Sequence, residues 1–176
     1  MKKNIFSLLI IVLVTSMIIS PASAGGNVGL GSVAFKPGSL IATGVFFGLG
    51  GYKLGVNVQM TAGGDPVVLC TNKGGTQAPG QNPVEVSADG EQAIGPQHIT
   101  KKGTAPLDVT AEPGPITGLQ GGCPNNNWIA TIVNVYWTSA TISVYDAVTG
   151  ELLFERNYAC DPDKQTATSV TCEEVN

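Results

Sequence analysis

Between Tyr52 and Thr61 the chain alternates without a break. Tyr52, Leu54, Val56, Val58 and Met60 fall on one side, and Lys53, Gly55, Asn57, Gln59 and Thr61 on the other. A period of two predicts a strand with one face on a core and the other in water. Val33–Phe35, Leu40–Phe47, Val67–Cys70, Val84–Ser87 and Ala105–Thr110 are shorter candidates. Trp128 to Trp137 is apolar on both faces, which predicts a central strand. Thr141–Asp146 and Leu152–Cys160 flank Ala147-Val148-Thr149-Gly150, a hairpin signal, with Leu152, Phe154, Tyr158 and Cys160 on one face of its second arm. Thr166–Cys172 predicts a last edge strand. After the leader, no stretch carries apolar residues at helical spacing behind a cap. Eight or nine strands separated by Gly, Pro and Asn turns predict an all-β fold. The expected architecture is an antiparallel β-sandwich of the immunoglobulin-like kind, with a small closed β-barrel as the alternative.

One segment breaks this rhythm. Met1-Lys2-Lys3 precedes an apolar run from Ile5 to Ile19, and Pro21-Ala22-Ser23-Ala24 follows it. A positive start, an apolar middle and small residues at the end describe a signal peptide cleaved before Gly25. The run is also shorter than the ~20 residues that span a bilayer. The expected organisation is therefore a leader over 1–24 and a single secreted β domain over 25–176. That domain is expected outside the cell, or in the periplasm or at the cell surface if the envelope has an outer membrane. No later apolar stretch predicts membrane insertion.

Composition sharpens the picture. All 23 glycines lie after the leader, about twice their usual share of ~7%. Many tight turns with positive φ account for them. Lys and Arg number 9 against 13 Asp and Glu, for a formal charge of −4. The loss of Lys2 and Lys3 with the leader makes the mature chain more acidic still. An acidic surface argues against nucleic-acid binding, which needs clustered cations to replace phosphate counterions.

Catalytic signatures are missing from the chain. Gly29-Leu30-Gly31-Ser32-Val33-Ala34 spells a dinucleotide-binding motif, but no strand precedes it and no helix follows, so it reads as the start of a strand. There is no nucleophile elbow, phosphate loop or H-E-x-x-H, and His98 is the only histidine. Asp161 and Asp163 are too sparse for a calcium loop and read as a solvated acidic turn. No cofactor, metal or catalytic residue is expected. A polysaccharide hydrolase, as an alternative, would need two acids among Glu85, Asp89, Asp108 and Glu112 about 5–9 Å apart in a cleft. Arg156, in phase with Phe154 and Tyr158, is expected to meet a carboxylate at the sheet edge. Tyr158-Ala159-Cys160 has the spacing of an immunoglobulin tyrosine corner, but lies on a hairpin arm and reads as aromatic packing beside a disulfide.

Three long connections, about 71–83, 88–104 and 111–127, are rich in Gly, Pro, Asn and Gln, and such loops often carry binding. The candidate binding residues are Asn72, Gln77, Gln81 and Asn82 in the first, with Asn127 and Trp128 at the end of the third. Amides supply both donors and acceptors, and a flat indole stacks on a sugar face. Self-capping of the loops and core packing of Trp128, Tyr136 and Trp137 are the competing explanations.

Four segments together resemble a known group. Ser39-Leu40-Ile41-Ala42-Thr43-Gly44 is followed by Gly48-Leu49-Gly50. Then come Cys70-Thr71-Asn72-x-Gly74-Gly75-x-x-Ala78-Pro79-Gly80-Gln81-Asn82-Pro83, Cys123-Pro124-Asn125-x-x-Trp128 and Thr138-Ser139-Ala140-Thr141. These are similar to a group of small secreted proteins of no established function, over about residues 33–160. The resemblance implies export and an all-β fold, and no activity, cofactor or catalytic residue.

Cys70, Cys123, Cys160 and Cys172 predict two disulfides with three possible connectivities. The favoured pairing is Cys70 with Cys123, pinning two long loops, and Cys160 with Cys172, closing the C-terminal arm. The spacings do not suit a zinc site. The function expected from all this is a non-catalytic exported protein, structural, adhesive or ligand-binding, with a cell-surface glycan or protein as partner. A fibre subunit joined through edge strands is a further alternative.

Overall fold

A computed structural model describes residues 27–175; the expected leader lies outside the described residues. Ten strands run β1 (Gly29–Leu30), β2 (Ala34–Lys36), β3 (Leu40–Phe47), β4 (Val56–Thr71), β5 (Gln77–Pro79), β6 (Val86–Ile94), β7 (Ala105–Pro113), β8 (Ile129–Asp146), β9 (Leu152–Asp161) and β10 (Thr171–Val175). They pair antiparallel in the order β1-β3-β7-β6-β4-β8-β9-β10, with β2 beside β3 and β5 beside β4. The fold is all-β.

The sheet curls until its two ends meet. Phe35 on β2 bridges Val170, just ahead of β10. Arg156 on β9 donates from Nη1 to the Leu30 carbonyl at 2.7 Å, and its Nε pairs with Glu174 at 3.1 Å. The Phe35 and Tyr158 rings meet edge-on, 5.1 Å apart. One curled sheet thus stands between the sandwich and barrel descriptions, its halves facing each other across a core. Phe46, Met60, Leu107, Trp137 and Ile142 are fully buried there. The inward residues are the alternating ones, as pleated geometry requires.

Several elements differ from their expected bounds. The first alternating strand starts at Val56, and Leu54 is 68% exposed. Gly55 sets that start, because it takes φ +96° and a Cβ there would run into the Ile94 carbonyl. Val67–Cys70 is the far half of the same strand: β4 continues through Gly63-Gly64-Asp65-Pro66 with a register shift at Gly63/Gly64. A side chain at Gly64 would lie 2.7 Å from Val135 and 3.1 Å from the Trp137 Cα, so glycine lets β4 and β8 pass closely. Trp128–Trp137 and Thr141–Asp146 likewise merge into β8. Trp128–Trp137 is not buried on both faces: Ile129, Val133 and Tyr136 are exposed. The second connection shortens because β6 extends to Ile94, and the last strand begins at Thr171. The extra short strands β1 and β5 bring the count to ten.

Beyond Val86 on one side and Ser139 on the other, neither β6 nor β9 accompanies the central pair. The ends of β4 and β8 therefore project as a two-stranded ribbon, with β5 alongside. This ribbon carries the loops that the sequence singles out.

Candidate functional site

At the tip of the ribbon, Cys70 and Cys123 form a disulfide with Cα atoms 5.6 Å apart. With Val68 they make a small second core, against which Ile116, Trp128 and Ala130 pack. The second disulfide joins Cys160 to Cys172, which lie directly opposite in the β9–β10 ladder. Two disulfides fit an oxidising compartment. Among the described residues no helix is long and apolar enough to cross a membrane.

The two polar connections are zipped together by backbone. Gln81 N–H donates to Gly122 O at 2.9 Å and Val84 N–H to Gln120 O at 2.9 Å. Gly122 takes φ +68° and sits so close that a Cβ would overlap the Gln81 backbone. Gln120 accepts from both the amide and the hydroxyl of Thr117, each at 2.9 Å, which closes the third connection on itself.

The disulfide also fixes the walls of a surface groove of about 350 Å³, lined by Asn72, Lys73, Gly74, Asn125, Asn127 and Trp128. Asn72 and Asn125 each follow a bridged cysteine by two residues, so one covalent link positions both walls. Their side chains are half committed. Asn72 Oδ1 accepts from Thr76 N–H at 2.9 Å, shaping the β4–β5 turn. Asn125 Oδ1 accepts from Asn127 N–H at 2.9 Å. Both amide NH₂ groups, and the whole Asn127 side chain, make no hydrogen bond among the described residues. Trp128 is half-buried, packed on the disulfide cluster at the groove wall. The groove thus offers donors, an acceptor, one ammonium and an aromatic surface.

Of the six candidate binding residues, Asn72, Asn127 and Trp128 line this groove. Gln77, Gln81 and Asn82 do not. Gln77 is exposed on β5, Gln81 is engaged through its backbone, and Asn82 occupies a left-handed turn at φ +49°. Lys73 and Asn125 join the groove without having been singled out. Their proximity depends on the Cys70–Cys123 link, which sequence offers only as one of three pairings.

Of the four candidate acids, two are cross-strand neighbours. Glu85, Asp89, Asp108 and Glu112 are all exposed. Asp89 and Glu112 face each other in the β6–β7 ladder, and Glu112 also lines a groove. Asp161 is occupied locally: Lys164 Nζ lies 2.8 Å away and Asp163 N–H donates to it at 3.1 Å. The Lys164 hydrogen bond holds the Asp161 carboxyl below its ordinary value. Among the described residues no three His, Cys, Asp or Glu side chains gather as metal ligands. His98 is exposed in a single 3-10 turn. Gly29–Ala34 spans β1 and the start of β2.

A larger groove, of about 560 Å³, was not anticipated. It runs beside β8 from Ala130 to Val135, with Gly38–Ser39 and Glu112–Ile116 along it. Its walls come from three separated segments, of which only Ser39 falls within a motif quoted above.

No protein-family model matches the chain, and no curated protein matches it in sequence.

Proposed function

We propose that this is an exported, non-catalytic binding protein that holds a carbohydrate in the Asn72–Trp128 groove, in an adhesive or ligand-capturing role at or outside the cell surface. The observation that carries the reading is the convergence, behind one disulfide, of an indole with three amide side chains from loops distant in sequence. A sugar presents hydroxyls that both donate and accept, which amides match, and an apolar C–H face that suits an aromatic ring. Long polar loops carried on a disulfide-tied sheet support the same reading. The leader-like segment and the resemblance to small secreted proteins support export.

The test is a glycan array and whole-cell binding with Asn127→Ala and Trp128→Ala, circular dichroism reporting the fold. Both substitutions should abolish binding, while Gln81→Ala and Asn82→Ala should retain it. Glycan binding that survives Trp128→Ala would remove the groove from consideration.

A further inference from the structure

Among the described residues, the first half of β8 has a strand neighbour on one side only. β4 pairs along one edge of β8 from Ile129 to Asp146, whereas β9 covers the other edge only from Ser139 onward. At Val135 and Trp137 a side chain stands in for the missing strand. Gln165 Nε2 donates to the Val135 carbonyl at 2.7 Å, and its Oε1 accepts from Trp137 N–H at 3.1 Å. Further upstream no such substitute reaches the edge among the described residues.

Backbone geometry makes that edge competent to pair. The Val68 carbonyl accepts from Gly80 N–H at 2.8 Å, on the side of β4 away from β8. In an antiparallel ladder, residues opposite each other turn their polar groups the same way relative to the shared space, either both inward or both outward. Ile132, the partner of Val68, therefore turns its N–H and C=O outward, to the open edge. Natural sheet edges are often blunted by charge, proline or a β-bulge. From Trp128 to Tyr145 the chain contains no charge and no proline, and the register shift at Val67/Val68 leaves Val133 as one extra residue within the open stretch.

The open edge lies along a slot. The groove beside Ala130–Val135 continues into a second cavity of about 470 Å³ that shares Gly38 and Asn134 and ends at Gln165–Ala167. Together they follow the edge for seven residues, roughly 23 Å at ~3.3 Å per residue. Pro113, Pro115, Ile116 and Ile132 give the slot apolar surface, and among the described residues Glu112 is the one charged side chain lining it.

We infer that this slot is a strand-addition site for an extended peptide segment of another protein. That segment carries apolar side chains at alternating positions and a Lys or Arg that meets Glu112. Main-chain bonds to the open edge supply affinity, and the apolar walls and Glu112 supply selectivity. A second copy fits less well, because its own β8 arrives with β4 attached, where Gly38–Ser39 and Glu112–Ile116 wall the slot. It would also bring a second Glu112 to the same site. The inference is independent of the carbohydrate reading, since it uses a different surface.

The experiment is a titration of the ¹⁵N-labelled protein with an end-capped heptapeptide, Lys-Val-Thr-Val-Thr-Val-Thr. Three relatives accompany it: one with Glu in place of Lys, and two N-methylated on either set of alternating amides. The parent peptide should shift the amides of Ala130, Ile132 and Val135. The Glu version should bind roughly two- to fivefold more weakly, as for an exposed ion pair. At least one N-methylated version should lose about tenfold or more, the equivalent of one or two hydrogen bonds. Glu112→Lys should reverse the Lys/Glu preference. Equal binding by all four peptides would overturn the inference, as would shifts confined to other strands, an unchanged preference in Glu112→Lys, or no binding at all. A protein that is dimeric alone, with the Ala130 and Ile132 amides protected from exchange, would assign the slot to a second copy and likewise overturn it.

Discussion

Replacing Cys70 and Cys123 together by Ala should damage this protein more than replacing Cys160 and Cys172, and in a different place. The cross-links close loops of 53 and 12 residues. In the chain-entropy picture these separations correspond to about 4 and about 3 kcal/mol of stabilisation. Packing widens the gap. Cys70 and Cys123 are two of the three buried residues of the second core, so their loss also strips contacts from Val68 and Trp128. Cys160 is buried too, with Cys172 packed beside it, but it is one residue of a much larger core, and the pair sits opposite within a five-residue ladder whose hydrogen bonds keep the two positions adjacent after the sulfurs are gone. For a domain of about 150 residues, each kcal/mol moves the melting temperature by roughly 2–4 °C. Calorimetry should therefore show a fall of about 8–16 °C for the first pair and about 6–12 °C for the second. Hydrogen exchange mapped by mass spectrometry should rise at Asn72–Gly75 and Asn125–Trp128 only in the first. Equal or reversed losses, or a tip that stays protected without Cys70–Cys123, would refute the reasoning.

Other expectations follow from single contacts. Arg156→Met should cost about 2 kcal/mol, because it leaves the Leu30 carbonyl without its charged donor, and urea unfolding with exchange at Leu30–Ser32 would read it. Gln165→Ala removes two bonds to β8 and should cost about 2 kcal/mol, with faster exchange of the Trp137 amide. Gly122→Ala places a Cβ on the Gln81 backbone at a positive φ and should cost about 1–3 kcal/mol, visible as a lowered urea midpoint. Asp146 accepts from Thr149 and Val148 N–H, which hold its carboxyl below the ordinary 3.8. Its contribution is therefore present above pH 3.8 and is lost as pH falls through the lower folded value. Asp146→Asn should flatten the acid limb of the melting-temperature profile.

Local pattern by itself determined the class of this fold and much of its core. Leu40–Phe47 forms a strand over the bounds its residues suggest, and Val56, Val58 and Met60 point inward as the alternation requires. These properties follow from the period of a pleated chain, which each short segment carries by itself. Tertiary structure decided which strands are continuous and which edges are covered. The apolar run from Ile129 to Trp137 has the composition of a central strand, yet it has a neighbour on one side only, because β9 starts its pairing at Ser139. The binding candidates divide for the same reason. Asn72, Asn127 and Trp128 meet because a disulfide joins their loops, while Gln81 is held elsewhere by its bond to Gly122. Glu112 became part of a slot only when β7 ended beside the turn at Gly38 and the open edge of β8. A strand's period is written in its own residues; its neighbours are set by chain segments tens of residues away.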